Sequence, residues 1–422
     1  MPLTSSQNER ERVSFIKQAF LQYYRTHKAR VVLPPEFQSR EFAFLAFGER
    51  FMTRHRAVRT SDELFGMIEA FAPSDIYYST AYYSKPAEEM ERKGWLGSDL
   101  VFDIDADHIE TSCKAVHDMW SCASCQATGQ GKIPAQCPNC GNTKFEERTW
   151  FCDECLDGAK KEVLKLINFL SRDFGMPEQE MHIFFSGHRG YHLHIRTDEA
   201  RKLDESQRTE IVDYVRALGL DLNRLGLYKK GRRDTITGPQ RDDPGWRGRI
   251  AREIYTLVSQ ATEQDFIDLG LSPRRARRII SEIPTLIHQD WKDQILWGEF
   301  EDWFGIEDVH WQEIIKRAVR RAAMDSMTDT VVTTDIHRLI RLPETLNGKT
   351  GLRATAVTDL EKFDPFRDPI AFEGEQTVRV TNVPAFRMGD NSYGPYSNQE
   401  VTLPEAAAML IICKGAGGPV TR

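Results

Sequence analysis

Leu100-Val-Phe-Asp-Ile-Asp-Ala-Asp107 alternates apolar and acidic side chains from Phe102 onward. Successive side chains on a strand point to opposite faces. Asp103, Asp105 and Asp107 are therefore expected on one face, with Phe102, Ile104 and Ala106 directed into a core. Neighbouring carboxylates on a half-buried strand repel one another unless a cation neutralises them. Oxygen ligands of this kind suit Mg²⁺ or Mn²⁺, and two such ions about 3.5–4 Å apart can activate an attacking hydroxyl and stabilise a leaving group. An Asp-x-Asp strand by itself is more often a solvent-facing strand with incidental acids. Its weight comes from its company.

Downstream, Met181 to Arg196 reads as two strands around a Gly-His-Arg-Gly turn. Gly187 and Gly190 let the backbone turn tightly and approach a ligand. Ser186 can donate a hydroxyl hydrogen bond, and Arg189 offers the planar fork that matches phosphate. His192 and His194 fall on one face of the returning strand. The bland alternative is a hairpin whose Arg and His are surface residues.

A third segment, Asp329 to Pro343 followed by Glu344 to Gly351, adds a carboxylate and then Arg338, Arg341 and Lys349 around a glycine-flanked turn. Cations beside a metal site are what triphosphate handling needs. Asp329 and Asp335 both qualify as a third metal ligand by type, and spacing does not choose between them.

Between the first two segments lie seven of the chain's eight cysteines, Cys113 to Cys155, six of them in Cys-x-x-Cys pairs. In a cytosolic chain that pattern argues for metal rather than disulfides. Cys122-x₂-Cys125 and Cys137-x₂-Cys140 have zinc-ribbon spacing. Cys413 stands alone in an apolar stretch and is expected in the core.

The remaining pattern places these motifs. Residues 9 to 28 and about 157 to 172 read as helices, residues 205 to 324 as mostly helical, and Val331 to Ile340 as β-branched and strand-like. The tail beyond Pro365 reads as short strands and a helix starting near Pro404. Of 422 residues, 40% are hydrophobic and 28% charged, as in ordinary globular proteins. No run is long enough to span a membrane, and the polar N-terminus lacks a signal core; no membrane association and a cytoplasmic location are the expectation. The net charge of −7 does not announce a nucleic-acid binder, but a local basic surface suffices. Eight Lys/Arg face three Asp between Lys229 and Arg252, and Arg274, Arg275, Arg277 and Arg278 follow.

Taken together and in order, the Asp-Ile-Asp strand, the Ser-Gly-His-Arg-Gly-Tyr-His hairpin and the Arg-Leu-Ile-Arg-x-Pro to Gly-Lys-Thr-Gly-Leu run resemble the archaeo-eukaryotic primase family, most closely its archaeal small subunits. Supporting similarity runs from Arg40-Glu-Phe42 to the Leu403-Pro-Glu tail. The resemblance implies an α/β fold: that family's catalytic core with a zinc-binding insertion and a mostly helical insertion. The core would comprise residues 1–110, 157–203 and 326–422, the zinc insertion 111–156 and the helical insertion 204–325.

The resemblance also implies roles. Asp103 and Asp105 match the family's paired metal ligands and Asp329 its third, leaving Asp335 as a structural strand residue. Ser186, Arg189, His192, Arg341 and Lys349 match nucleotide-binding positions. Asn347 stands where the family usually has His; it can donate a hydrogen bond but carries no charge. Cys113, His117, Cys152 and Cys155 fit the family's zinc knuckle, so the ribbon set Cys122, Cys125, Cys137 and Cys140 would be nested inside it as a second structural zinc site. His117 has an alternative reading as a surface histidine, with Cys113 free or water completing the site. The implied activity is template-directed primer synthesis from nucleoside triphosphates on single-stranded DNA, with a large subunit as partner. Alternatives are a stand-alone primase-polymerase, for which no fused helicase or ligase domain is evident, and a non-catalytic zinc-ribbon scaffold, which would have no need of clustered acids.

Overall fold

The computed structural model describes residues 5–225, 227, 238–285, 295, 308–324 and 330–420. Two compact units emerge. One contains Met1–Leu164, Gln179–Arg208 and Asp329–Arg422; the other contains Lys165–Glu178 and Thr209–Thr328.

The first unit is built on two four-stranded sheets, antiparallel at every pairing described. One runs in the order Leu339–Arg341, Pro73–Ser79, Phe42–Ala46, Thr53–Arg56. The other runs Ala356–Val357, Met181–Phe185, Gly190–Ile195, Leu100–Asp105. The second sheet is where the chemistry-bearing strands meet. Leu100, Val101, Phe102 and Ile104 are buried. Each such side chain contributes roughly 1.5–3 kcal/mol by leaving water, and that burial fixes which face the intervening acids present.

The strand's entry is pinned by a buried polar network. Arg40 donates to Ser79 O and Thr80 O, both at 2.9 Å, and to Asp99 Oδ2 at 2.8 Å. Arg208 donates to Ser98 O and Asp99 O at 2.8 and 2.9 Å. Buried charges survive only when paired and hydrogen-bonded in this way. The Arg40-Glu-Phe motif is thereby accounted for as scaffold, with Glu41 taking Lys93 and Arg54.

Behind the third segment, helix Ser5–Thr26 buries Ile16, Phe20, Tyr23 and Tyr24, and the Tyr24 hydroxyl accepts from Leu346 N at 3.0 Å. Helix Glu405–Cys413 is buried along most of its length against strands Glu375–Val383, Tyr396–Pro404 and Gly417–Pro419. Cys413, expected in the core, is only partly buried because it is the helix's last residue.

Two further expectations change. The segment Val331–Thr334 is one helical turn rather than strand, with Thr330 O accepting from Thr333 N and Thr334 N; the strand begins only at Leu339. The carboxylate strand ends at Asp105, and Ala106–His108 form a 3₁₀ turn, so Asp107 does not continue the acidic face.

In the second unit, helix Gly245–Gln260 packs on Asp308–Ala322. Arg249 turns inward to Asp173 at 2.8 Å and to Asn168 at 2.9 Å. Part of the basic run from Lys229 to Arg252 therefore holds a core together, and residues 228–237 lie outside those described. Arg274, Arg275, Arg277 and Arg278 are exposed on helix Pro273–Thr285.

Candidate active site

Strand Leu100–Asp105 lies antiparallel to Gly190–Ile195 in a register that sets Asp103 opposite His192 and Asp105 opposite Gly190. Glycine is required there: a Cβ on residue 190 would sit 2.3 Å from Ile104 O. Asp103 and Asp105 are half-buried, with His192 Nε2 3.5 Å from Asp103 Oδ1. Asp105 Oδ1 accepts from Asp107 N at 2.8 Å, which closes the 3₁₀ turn and sends the Asp107 carboxylate to Arg189 at 2.8 Å.

Burial, then the charges of Asp107 and Asp103, raise the Asp105 carboxyl above the usual carboxylate range. Burial and the nearby Arg341 guanidinium push His192 down to about 3, so its contact with Asp103 is that of a neutral imidazole rather than an ion pair. Two neighbouring carboxylates, one of them raised by burial and its acidic neighbours, form a setting that a hard divalent cation favours.

The hairpin turn and the Asn347–Gly351 loop are docked on each other. Asn347 Nδ2 donates to Ser186 O at 3.0 Å while its Oδ1 accepts from Lys349 N at 2.9 Å. Thr350 Oγ1 donates to Gly187 O at 2.5 Å. Ser186 Oγ accepts from His188 N and Gly190 N, both at 3.3 Å, leaving its own proton to donate. Asn347 thus braces two turns, a job an uncharged amide does with both ends.

The cations differ in their surroundings. Arg341 pairs with Asp75, whose carboxylate also accepts from Gly348 N at 3.1 Å and Ser74 Oγ at 2.8 Å. Arg189 is fully buried between Asp107 and Asp118. Lys349 is exposed. Asp103, Asp105, Ser186, Arg189 and His192 lie on the second sheet and its hairpin turn, the loop carrying Asn347 and Lys349 docks on that turn, and Arg341, from the first sheet, comes near enough to lower the His192 imidazole. Asp329 lies outside the described residues, although helix Val331–Thr334 packs against the carboxylate strand. Asp75 and Asp118 escaped the sequence reading, since nothing local marks an acid whose partner is far along the chain. For Asp118 the one available signal was its place beside His117.

The cysteine segment forms two clusters. Cys113, His117, Cys152 and Cys155 converge in one and Cys122, Cys125, Cys137 and Cys140 in the other, with ligand atoms within 4.8 Å of each other. Sγ–Sγ distances are 3.3 Å for Cys113–Cys155 and 3.6 Å for both Cys122–Cys140 and Cys125–Cys137. Tetrahedral zinc with bonds of about 2.3 Å holds sulfurs about 3.8 Å apart, so both clusters fit zinc. His117 points Nε2 at Cys155 Sγ, 3.3 Å away, because Nδ1 is engaged by Asp118 at 2.9 Å. That is the carboxylate–histidine arrangement that orients metal ligands. The backbone N–H of Cys125 pulls the Cys122 thiol down to about 6, and Cys155 is drawn down to about 3 by its hydrogen bond from Cys152. The second cluster is carried by strands Met119–Cys122, Thr128–Gln130 and Phe145–Arg148.

The sequence pattern of the family described as DNA primase small subunit matches residues 137–359, more than half of the chain. The chain belongs to the DNA primase small subunit family. Among archaeal members, the DNA primase small subunit PriS of Methanothrix thermoacetophila is 33% identical over 95% of this chain and 97% of its own length. Those of Cenarchaeum symbiosum and Archaeoglobus fulgidus are each 32% identical over 95% of this chain, covering 96% and 97% of their own lengths. The family pattern takes in the hairpin and the Arg341–Gly351 segment. The whole-length similarities to the primase subunits leave too little uncovered to omit the carboxylate strand. Among the described residues no helix is long and apolar enough to cross a membrane.

Proposed function

We propose that this chain is the catalytic subunit of a DNA primase, a nucleotidyltransferase making short primers from nucleoside triphosphates on single-stranded DNA during replication. One observation carries the reading: two half-buried acids, Asp103 and Asp105, share a strand face whose neighbouring strand leads into a cation-lined turn. Magnesium or manganese at Asp103, Asp105 and Asp329 supplies charge neutralisation and hydroxyl activation when bound. Support for Asp329 comes from the helix beginning two residues later, which packs on the carboxylate strand.

The protein's own groups do the rest. Lys349 and Arg341 draw and hold the triphosphate, and Ser186 has a free proton for a phosphate oxygen. Arg189, held by two carboxylates, keeps the turn in place and adds positive potential. His192, kept neutral, can donate or accept without competing with the metal for Asp103. The primer 3′-oxygen bonds to the α-phosphorus as the bond to pyrophosphate breaks. Both cysteine clusters are structural in this reading, since four protein ligands leave no open position.

A primase large subunit as partner, a cytoplasmic location and an additional DNA-polymerase activity complete the proposal. A stand-alone primase-polymerase and a silent scaffold are not favoured, given whole-length similarity to primase small subunits. The test is Asp103→Ala combined with Asp105→Ala in a metal-dependent, primer-free extension assay with each nucleotide class. Synthesis should vanish while folding and template binding persist; retained synthesis would overturn the assignment.

A further inference from the structure

Lys414 follows the buried helix Glu405–Cys413 and reaches the hairpin turn, where Nζ lies 2.7 Å from His188 Nε2. The same ammonium is 6.0 Å from the centroid of the Phe151 ring, which meets His188 edge-on at 6.3 Å. Its backbone is well anchored. Lys414 N donates to Leu410 O at 2.9 Å, Gly415 O accepts from Arg148 Nη2 at 3.1 Å, and the next strand joins Glu375–Val383.

The cations around the turn fall into two classes. Arg189 is matched by Asp107 and Asp118, and Arg341 by Asp75. Among the described residues, neither Lys414 nor Lys349 has a carboxylate at ion-pair distance. Lys414 instead faces an imidazole that burial and the surrounding cations keep neutral. Burial, with repulsion from Arg189 and Lys349, lowers the Lys414 ammonium to about 7. A partly buried amine among like charges costs stability in the free protein, and an incoming polyanion would relieve that cost. His188 is buried, and its ring nitrogen fixes where the ammonium points.

We propose that Lys414 is a phosphate-binding residue of the nucleotide site, held ready by His188 and acting with Lys349 on the triphosphate tail. This rests on the reading of the site as a nucleoside-triphosphate site. No local motif marks Lys414, which caps the C-terminal helix and lies in none of the three segments.

The test is calorimetric titration of the full-length chain with ATP and, separately, AMP, in magnesium and without template. Lys414→Met should weaken ATP binding about tenfold, near 1.4 kcal/mol, and leave AMP binding unchanged; Lys414→Arg should retain most of the ATP affinity. Lys349→Met is the control. ATP affinity lost in Lys349→Met but intact in Lys414→Met would overturn the proposal and leave the site reading standing. Affinity intact in both would sink the site reading itself. Equal weakening of ATP and AMP in Lys414→Met, with a lower melting temperature, would mean a helix-to-hairpin latch and no phosphate contact.

Discussion

Asp118 Oδ1 lies 3.3 Å from Nη1 of Arg189, a fully buried guanidinium in the hairpin turn. The same oxygen engages His117 Nδ1 at 2.9 Å and accepts from Trp150 N at 3.0 Å. One carboxylate therefore orients an imidazole of the Cys113/His117/Cys152/Cys155 cluster and a cation of the proposed nucleotide site. Asp118→Asn keeps the size and removes the charge. Removing such an outer partner typically costs about 10–100-fold in metal affinity, and leaving Arg189 with Asp107 alone should destabilise the fold on the order of 2 kcal/mol. The expected outcome is faster zinc loss to a chromogenic chelator and a raised KM for nucleotide in the same variant. Unchanged zinc retention would remove the link between the two sites.

Asp105 is the group whose titration should be felt by the whole fold. Its folded-state carboxyl is raised by burial, Asp107 and Asp103. With a raised acid the native state holds the proton more tightly than the unfolded chain does. Stability is then greatest below the ordinary carboxylate range and declines as pH rises through the folded value. A divalent cation should reverse this by favouring the ionised form. Asp105→Asn is expected to raise the metal-free melting temperature by about 1–3 °C at neutral pH and to abolish most of the further rise on adding Mn²⁺. Thermal unfolding from pH 4 to 7, with and without Mn²⁺, checks both; a metal response undiminished in the variant would place the ion elsewhere.

Gly190 is where the hairpin strand and the carboxylate strand come closest. An added Cβ would lie 2.3 Å from Ile104 O and 2.9 Å from Asp105 Cα, both backbone atoms that cannot swing aside. Gly190→Ala must push the two strands apart, and overpacking of this kind costs on the order of 3 kcal/mol. Because Asp103 and Asp105 ride on the displaced strand, primer synthesis should fall about a hundredfold or more. Urea unfolding and extension assays on the same preparation separate the two effects.

What the sequence could and could not reveal follows from the range of each interaction. The Asp-Ile-Asp alternation, the Gly-flanked hairpin and the cysteine spacing are local patterns, and the strands and clusters they imply are present. Asp107 left the expected face because Asp105 accepts its amide and starts a turn, an event decided by one hydrogen bond. The β-branched run at Val331–Thr334 made a helical turn in spite of its strand propensity, which tertiary context routinely overrides. Asp75 with Arg341, Asp118 with Arg189 and Lys414 with His188 are pairs separated by 266, 71 and 226 residues. Nothing in the residues flanking such a charge says whether it will be matched.

The two cysteine clusters should answer differently to mutation, although both fit zinc. The Cys113/His117/Cys152/Cys155 set is wired to the site through Asp118, and Arg189 Nη2 lies 4.0 Å from Cys155 Sγ. The Cys122/Cys125/Cys137/Cys140 set holds a three-stranded ribbon whose strands, among the described residues, pair only with one another, while Arg148 ties it to Gly415 O. Structural zinc contributes its binding energy directly to local folding, so loss of a site should be felt where its ligands are anchored. The wild-type chain is expected to carry two zinc ions by elemental analysis, and Cys125→Ala one. The latter should keep most primer synthesis and most of the melting temperature. Cys155→Ala should also drop to one ion but lose synthesis, because His117, Asp118 and then Arg189 lose their common anchor. A wild-type content near one ion, or equal damage from the two substitutions, would contradict the nested arrangement and its one-sided coupling.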